Sequence, residues 1–581
     1  MSETHSIELY NSMVEPLTEQ WYEEAHVSSE ARDHLVKSLD NLKQGRAPVP
    51  VFKLYGRDDV YSLIKELLDK LNLQQYDVPK AWIDYEYDRL SKVGQQGGYA
   101  PWDDEMKELM VLYVTRPKEV QKSLIPLDVT KEFLDNYSHL YLHQMKDAAV
   151  IPYLVSSGRI TDRAAGCRDF NLKKTDALAK RHALADYQSG LYKKFAMYTF
   201  MRYYKLKKRI FFPGPYAALV AQGKFVIPFI EAIQNDITAY RAKSKLVQHA
   251  DKLGFDECFS IMGEEITEKL PKLAKEWHCS MADIELAYVQ GDFEKMDTTE
   301  GLSQYEDGLL PVFKQCFHLS GKSYTEMAYN QTLTCTMPII TPDGVINKYH
   351  GTGSGMENTN IGEGVSNDKY QLLTLHKFAS KQREKKRKYR AKCVARRVNG
   401  DDSGYVLALY HPKGIDDKVW KQFSSDFQSA AEEAADICGF IINEKWFMSR
   451  EMGLFCQNGY WYDRKTKRIV WMYPLTLILN SIMHPQKEYA ASSWDKDYND
   501  ITIVEKLDNG RNLPYFHELV DFVDNGMVYH LLRRSEKETK RILSKYDRYR
   551  ALQSEDYYFN RRDYDITKSP TIKYIAQKYF H

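Results

Sequence analysis

The chain has no apolar stretch of membrane-spanning length. Its longest run, around Trp471 to Met483, is broken by Pro474 and Asn480, which argues against a bilayer-spanning helix. It also lacks a positively charged start followed by an apolar centre, since it begins Met-Ser-Glu-Thr-His-Ser-Ile-Glu; a secretory signal is not expected. There is no Cys-x-x-Cys pair. Eight cysteines, at 167, 258, 279, 316, 335, 393, 438 and 456, are scattered, a pattern that points to reduced thiols in a cytosol-like compartment and away from a structural zinc site. Net charge is nearly absent, at +1, so the overall basic character of many nucleic-acid binders is missing. Residues 1 to about 150 hold no repeat, no low-complexity tract and no catalytic constellation.

What is there is an ordinary globular composition. Of 581 residues, 43% are apolar and 28% charged, enough for a large core and for several domains. Charge is local rather than global. Lys193 to Arg209 holds seven basic residues and no acid, and Lys381 to Arg397 holds ten against the single acid Glu384. Basic stripes in a neutral chain suit a nucleic-acid channel, although solvated helix faces explain most such runs.

Residues 1 to about 150 read as helices with polar connections. Ser28 or Ser29 can cap a helix through Leu42, with Leu35, Leu39 and Leu42 on one face, and Gly94 to Pro101 reads as a loop. Residues 156–181 form a basic, loop-like segment ahead of a helix. In Tyr203 to Pro215, Lys205, Lys207 and Arg209 alternate, so an extended chain projects all three to one side and Lys208 and Ile210 to the other. That row suits a path for triphosphates, with Arg209 offering a two-pronged guanidinium. A charge-guarded edge strand is the equal alternative.

Acidic residues meet turns in two places. Ile284 to Gln290 has strand character and runs into Gly291-Asp292, with Asp297 five residues on. Asn399-Gly-Asp-Asp-Ser-Gly404 lies between the alternating Val394–Val398 and the apolar Tyr405–Tyr410, so a tight hairpin with Asp401 and Asp402 at an exposed tip is expected. Two like charges at one tip repel, and a divalent cation would offset that cost. Between them, Pro342-Asp343-Gly344 marks a hairpin. His350-Gly-Thr-Gly-Ser-Gly355 is a glycine-rich loop entering a helix, and its backbone amides can approach a phosphate or sugar. Gly362 and Gly364 would let another chain lie against that helix. Downstream, Ser424 or Ser425 is the expected cap of a helix carrying Phe427, Ala430, Ala431, Ala434 and Cys438, closed by Gly439. Phe440–Ile442 reads as a short strand, Tyr460–Tyr462 with Arg468–Tyr473 as a second hairpin, and residues from about 474 to 581 as helical with a Tyr-dense end.

Each of these stretches is common alone. Their order is a basic extended segment, Asp-x4-Asp after a strand, Ser-Gly-x3-Thr opening a helix (Ser354, Gly355, Thr359), and Gly-Asp-Asp in a hairpin. A helix and strand ending near Lys445 follow, then an aromatic hairpin. This order and spacing resembles the palm motifs of viral RNA-dependent RNA polymerases, particularly those of the picobirnaviruses and partitiviruses, whose genomes are segmented double-stranded RNA. The resemblance covers about residues 203 to 473. It implies an α+β right-hand polymerase: fingers, a palm with an RRM-like antiparallel sheet, and a thumb, closed by an N-terminal and fingertip bridge. The implied bounds are an N-terminal extension over 1–100, fingers over 101–270 with an insertion at 301–350, palm over 271–300 and 351–463, and thumb with a C-terminal segment over 464–581.

The implied activity is RNA-directed RNA polymerase, a nucleotidyltransferase that replicates and transcribes a double-stranded RNA viral genome and is able to start without a primer. The implied partners are RNA template, nascent RNA and nucleoside triphosphates, with the capsid protein a further candidate and no membrane; the implied location is the virion interior or host cytoplasm. By resemblance, Asp292, Asp401 and Asp402 would hold two Mg2+ ions, with Mn2+ as a substitute. Lys445 would act as general acid, and Lys205, Lys207 and Arg209 would meet the triphosphate. Asp297 would sense the ribose 2′-hydroxyl, positioned by Ser354 and Thr359. Residues 454–462 would grip the primer end, 156–170 would guide template entry, and the Tyr-rich C-terminus would support initiation or plug an exit. Two departures stand out: Glu363 replaces a frequent Asn, so the 2′-hydroxyl network is expected to be wired differently, and Met296 replaces a common aromatic. For Lys381–Arg397 a solvated face is favoured over RNA contact. The rival readings are a reverse transcriptase-like polymerase and a non-catalytic, capsid-associated RNA-binding protein.

Overall fold

A computed structural model describes residues 3–115, 119–157, 163–204, 207–235, 250–353, 355–443, 446–487, 495–552 and 565–580. Lys205, Ser354 and Lys445, part of the 156–170 segment, and Tyr557, Tyr558 and Tyr564 at the Tyr-dense end lie outside the described residues.

The functional stretches converge on a four-stranded antiparallel sheet in the order Phe447–Ser449, Glu285–Gly291, Asp402–Tyr410, Arg390–Asn399. Asp402–Tyr410 is a central strand, and its unbroken apolar run follows from burial on both faces. Tyr405, Leu407 and Leu409 pack with Phe423 and Phe427 on one side. Val406 and Ala408 pack with Phe259 and Ile266 on the other. The period of two is therefore present although the strand shows no polar alternation. The expected hairpin forms, with Asn399 opposite Asp402. Gly400 (φ +57) supplies the positive φ of its tight turn, and a Cβ there would lie 2.6 Å from Asn360 Nδ2.

Several local expectations are met. Ser28 caps the Ser29–Gln44 helix, Ile339–Thr341 and Gly344–Ile346 pair across Pro342-Asp343, and Asn458–Asp463 pairs with Arg468–Met472. Others are corrected. The helix expected from Ser424 or Ser425 runs over Asp417–Cys438 and is capped by Asp416, whose side chain accepts from Val419 N at 2.8 Å. Val419 and Phe423 extend its buried stripe by two turns, so the two serines lie mid-helix. Phe440–Ile442 forms no strand, only a single bridge between Ile442 and Phe293. Gly362 faces this chain's own Tyr305, whose hydroxyl would lie 2.5 Å from a Cβ at that position. The helix Tyr216–Asn235 is apolar enough by length and composition to cross a membrane, which the sequence reading passed over. Its window Tyr216–Ile233 is 78% buried within the protein, as a core helix would be.

The basic run 381–397 is matched by the protein's own acids. Lys377 and Lys381 pair with Glu433, Lys385 and Arg387 with Asp426, Lys392 with Glu276, Arg396 with Asp368 and Arg397 with Glu265. Such internal pairing removes most of the stripe from consideration as an RNA path.

The N-terminal region divides between two cores. Tyr10, Tyr22, Leu35 and Leu42 join residues 100–227 and 333–356 in one. Leu54 to Val93 join residues 452–575 in the other. The strap between them is pinned where Arg46 and Tyr99 exchange backbone hydrogen bonds and where Phe52 N donates to Met483 O.

Candidate active site

Strand register assembles the acidic site. Gly291 lies opposite Ser403, so Asp292, the next residue, emerges beside the Asp401-Asp402 tip. Asn443 N donates to Asp292 O at 2.8 Å, and Phe293 is wedged against Tyr370 and Phe440. Asp292 and Asp401 keep their side chains exposed and Asp402 is half-buried, but the protein around all three leaves the charged form poorly solvated. Desolvation followed by the charge of Asp292 raises the Asp401 carboxyl to about 6. Desolvation followed by Asp401 and Asp292 raises Asp402 to about 8. Desolvation also raises Asp292, against the opposing pull of Lys207 and Lys92.

The expected basic row belongs to a hairpin of Phe200–Tyr204 with Lys207–Phe211. Lys207 and Arg209 are exposed, and both act electrostatically on the acidic site, Lys207 on Asp292 and Arg209 on Asp401 and Asp297. Lys208 points the other way and pairs with Asp103 and, at 2.7 Å, with Glu105. Arg209 also stacks over the Tyr204 ring at 4.8 Å.

The glycine loop lies directly against this hairpin. A Cβ on Gly355 (φ +127) would sit 2.6 Å from Phe212 O. The Thr359 hydroxyl donates to Gly353 O at 2.7 Å, so it braces the loop rather than positioning Asp297 as expected. Asp297 is held instead by Tyr113, whose hydroxyl donates to Oδ2 at 2.6 Å, and through its backbone oxygen by Thr352 N at 2.7 Å.

Glu363, the departure from the motif, lies beneath the acidic turn. It accepts from the Thr352 hydroxyl at 3.3 Å, and burial with the charges of Glu300, Asp401 and Asp297 pushes its carboxyl well up. Glu300 is fully buried, accepts from Ser366 at 2.7 Å, and is raised by burial to about 8. The Cys456-Gln457 turn between Gly453–Phe455 and Asn458–Asp463 adjoins the site. There the Cys456 side chain favours the Asp402 carboxylate and accepts from Asn399 Nδ2 at 3.4 Å, while Tyr85 donates to Gln457 O at 3.1 Å.

The sequence therefore placed Asp292, Asp401, Asp402, Asp297, Lys207, Arg209 and Gly355 about one cleft. It missed Tyr113, Lys92, Tyr85 and Glu300, which no motif marks, while Cys456 falls within the 454–462 segment expected at the primer end. Three mutually repelling carboxylates with raised affinity for protons are hard-oxygen donors suited to Mg2+ or Mn2+. Among the described residues no three His, Cys, Asp or Glu groups are already drawn together as an ion's cage. The donor chemistry fits divalent cations.

No protein-family model and no curated protein sequence matches this chain. Solved structures do. The RNA-dependent RNA polymerase of a human picobirnavirus superposes with a TM-score of 0.67 at 14% identity, over 95% of this chain and 99% of that one. The insertion-loop deletion mutant of a human picobirnavirus polymerase gives 0.63 at 14%, over 91% and 99%. Across nearly its whole length, this chain has the fold of a viral RNA-dependent RNA polymerase.

Proposed function

We propose that this protein is an RNA-directed RNA polymerase that replicates and transcribes a double-stranded RNA viral genome, able to begin without a primer and acting in the virion interior or host cytoplasm. The observation that carries the reading is the strand register that sets Asp292 beside Asp401 and Asp402, facing Lys207 and Arg209 across one cleft. The polymerase fold supports it.

Lys207 and Arg209 attract the triphosphate, the guanidinium gripping phosphate oxygens in two-pronged fashion. Asp292, Asp401 and Asp402 would hold two divalent cations, which when bound lower the pKa of a 3′-hydroxyl and neutralise charge on the departing pyrophosphate. Asp297 accepts a hydrogen bond from the ribose 2′-hydroxyl, which favours ribonucleotides. The Cys456 tip beside Asp402 supports the growing 3′ end. Ser354, Lys205 and Lys445 keep the sugar, triphosphate and general-acid roles assigned by motif position.

The test is Mg2+-dependent extension on a defined RNA template with purified protein. Wild type should incorporate ribonucleotides. Asp401→Ala should lose activity by on the order of a thousandfold or more while RNA affinity changes little, because cationic contacts dominate that affinity. Wild-type-like synthesis by the variant, or preference for deoxynucleotides, overturns the reading.

A further inference from the structure

We propose that Tyr113, in the Asp104–Thr115 helix and far from every motif, is the positioning residue for sugar selection: its hydroxyl fixes the orientation of the Asp297 carboxylate toward the incoming nucleotide's ribose. The inference rests on the polymerase reading above and deepens it. The Tyr113–Asp297 hydrogen bond is short, at 2.6 Å, as expected of a hydroxyl donating to a carboxylate. Tyr113 is only 2% exposed.

The ring has little freedom to move. It meets Phe212 edge-on, with centroids 5.1 Å apart. Gly351 (φ +79) passes so close that a Cβ there would lie 2.4 Å from Tyr113 Cδ1. The same loop ties the helix to the Asp297 segment. His350 Nε2 lies 3.1 Å from Leu112 O, Gly351 N donates to Glu300 O, and Thr352 N donates to Asp297 O, each at 2.7 Å. Tyr113 thus reaches Asp297 from a rigid mount.

The other neighbours do not replace it as a donor. The Glu363 carboxyl, raised by burial, takes the Thr352 hydroxyl, Asp401 adds a like charge, and the Thr298 amide, which also favours the Asp297 carboxylate, is fixed in the backbone. Arg209 acts on Asp297 through charge, but it sits on the exposed face that meets the triphosphate. Removing the Tyr113 hydroxyl leaves the half-buried Asp297 carboxylate without that donor and frees the group to turn.

Single-nucleotide incorporation of UTP and dUTP by wild type and Tyr113→Phe tests this. The ribo-to-deoxy ratio of kcat/KM should fall on the order of tenfold in the variant, through loss on UTP, with dUTP unchanged. Melting temperatures check that Tyr113→Phe, which keeps the ring, stays folded. Phe212→Leu, which loosens the ring but keeps the hydroxyl, should lower the ratio by a smaller factor. An unchanged ratio in both variants, or an equal loss on UTP and dUTP, overturns the proposal while the polymerase reading stands. Wild type that fails to extend RNA, or that prefers dUTP, overturns that reading instead.

Discussion

A carboxyl that holds its proton until about pH 8 binds a cation at neutral pH only by releasing that proton. Asp402 is such a group, and Asp401, raised to about 6, is a milder one. On the function proposed above, protons and divalent cations would compete for the same oxygens. The Mg2+ concentration giving half-maximal extension should rise as pH falls from 8 to 6, and adding Mg2+ should restore the rate at the lower pH. A half-maximal concentration independent of pH would contradict these titrations. The acidic residues were legible in sequence because turn chemistry and strand period are local: Asn399-Gly400 announces a tight turn, and a strand ending at Asp292 needs only its own neighbours. Tyr113 and Lys92 were not legible. Each reaches the cleft across some two hundred residues of intervening chain, and neither sits in a distinctive local pattern.

At the scale of elements, the Asp417–Cys438 helix shows where local signals mislead. Ser424 and Ser425 look like caps, but Val419 and Phe423 had equal claim to the apolar stripe, and Asp416 three residues before Val419 supplies the better start. Asp426 on this helix anchors the basic run. Burial pushes its carboxyl up, but Arg387, Lys385 and Tyr389 outweigh this and hold it at about 2. The folded value lies below the ordinary 3.8, so the stability it contributes is present above that value and is lost as pH falls toward 2. Asp426→Ala should cost about 2 kcal/mol at pH 7, because it leaves the buried Tyr389 hydroxyl and the half-buried Arg387 without their acceptor. The gap from wild type in urea unfolding should narrow below about pH 4.

At the scale of the molecule, residues 1–100, expected by resemblance to bridge fingers and thumb, contribute to two cores as a strap between them. Its closure onto the C-terminal helices turns on Glu86. That buried carboxylate accepts from Leu475 N at 2.7 Å, Thr476 N at 3.1 Å and the Tyr515 hydroxyl at 3.0 Å. Those amides open the Leu475–Met483 helix, where negative charge is favoured. Glu86→Ala leaves them unsatisfied and should cost about 3 kcal/mol. Hydrogen exchange should then rise first over 475–575, with the central sheet still protected. Uniform loosening would mean that the two cores melt as one. A bridge was expected from the resemblance alone; the Glu86 contact was not, because both partners read as ordinary amphipathic helices and nothing local says which helices meet.

The strap also dictates an order of assembly. The Val60–Leu71 helix carries Val60, Leu63, Ile64, Leu67, Leu68 and Leu71 on the face it buries, and their packing partners include residues 472–575. During synthesis that oily face emerges together with Leu73 to Val93 but long before the C-terminal part of its core exists. Contacts so distant in the chain close slowly and leave sticky intermediates. Ribosome-bound chains halted before residue 470 should remain protease-sensitive over 54–93 and recruit a holding chaperone there, and both properties should vanish once the last helices are made.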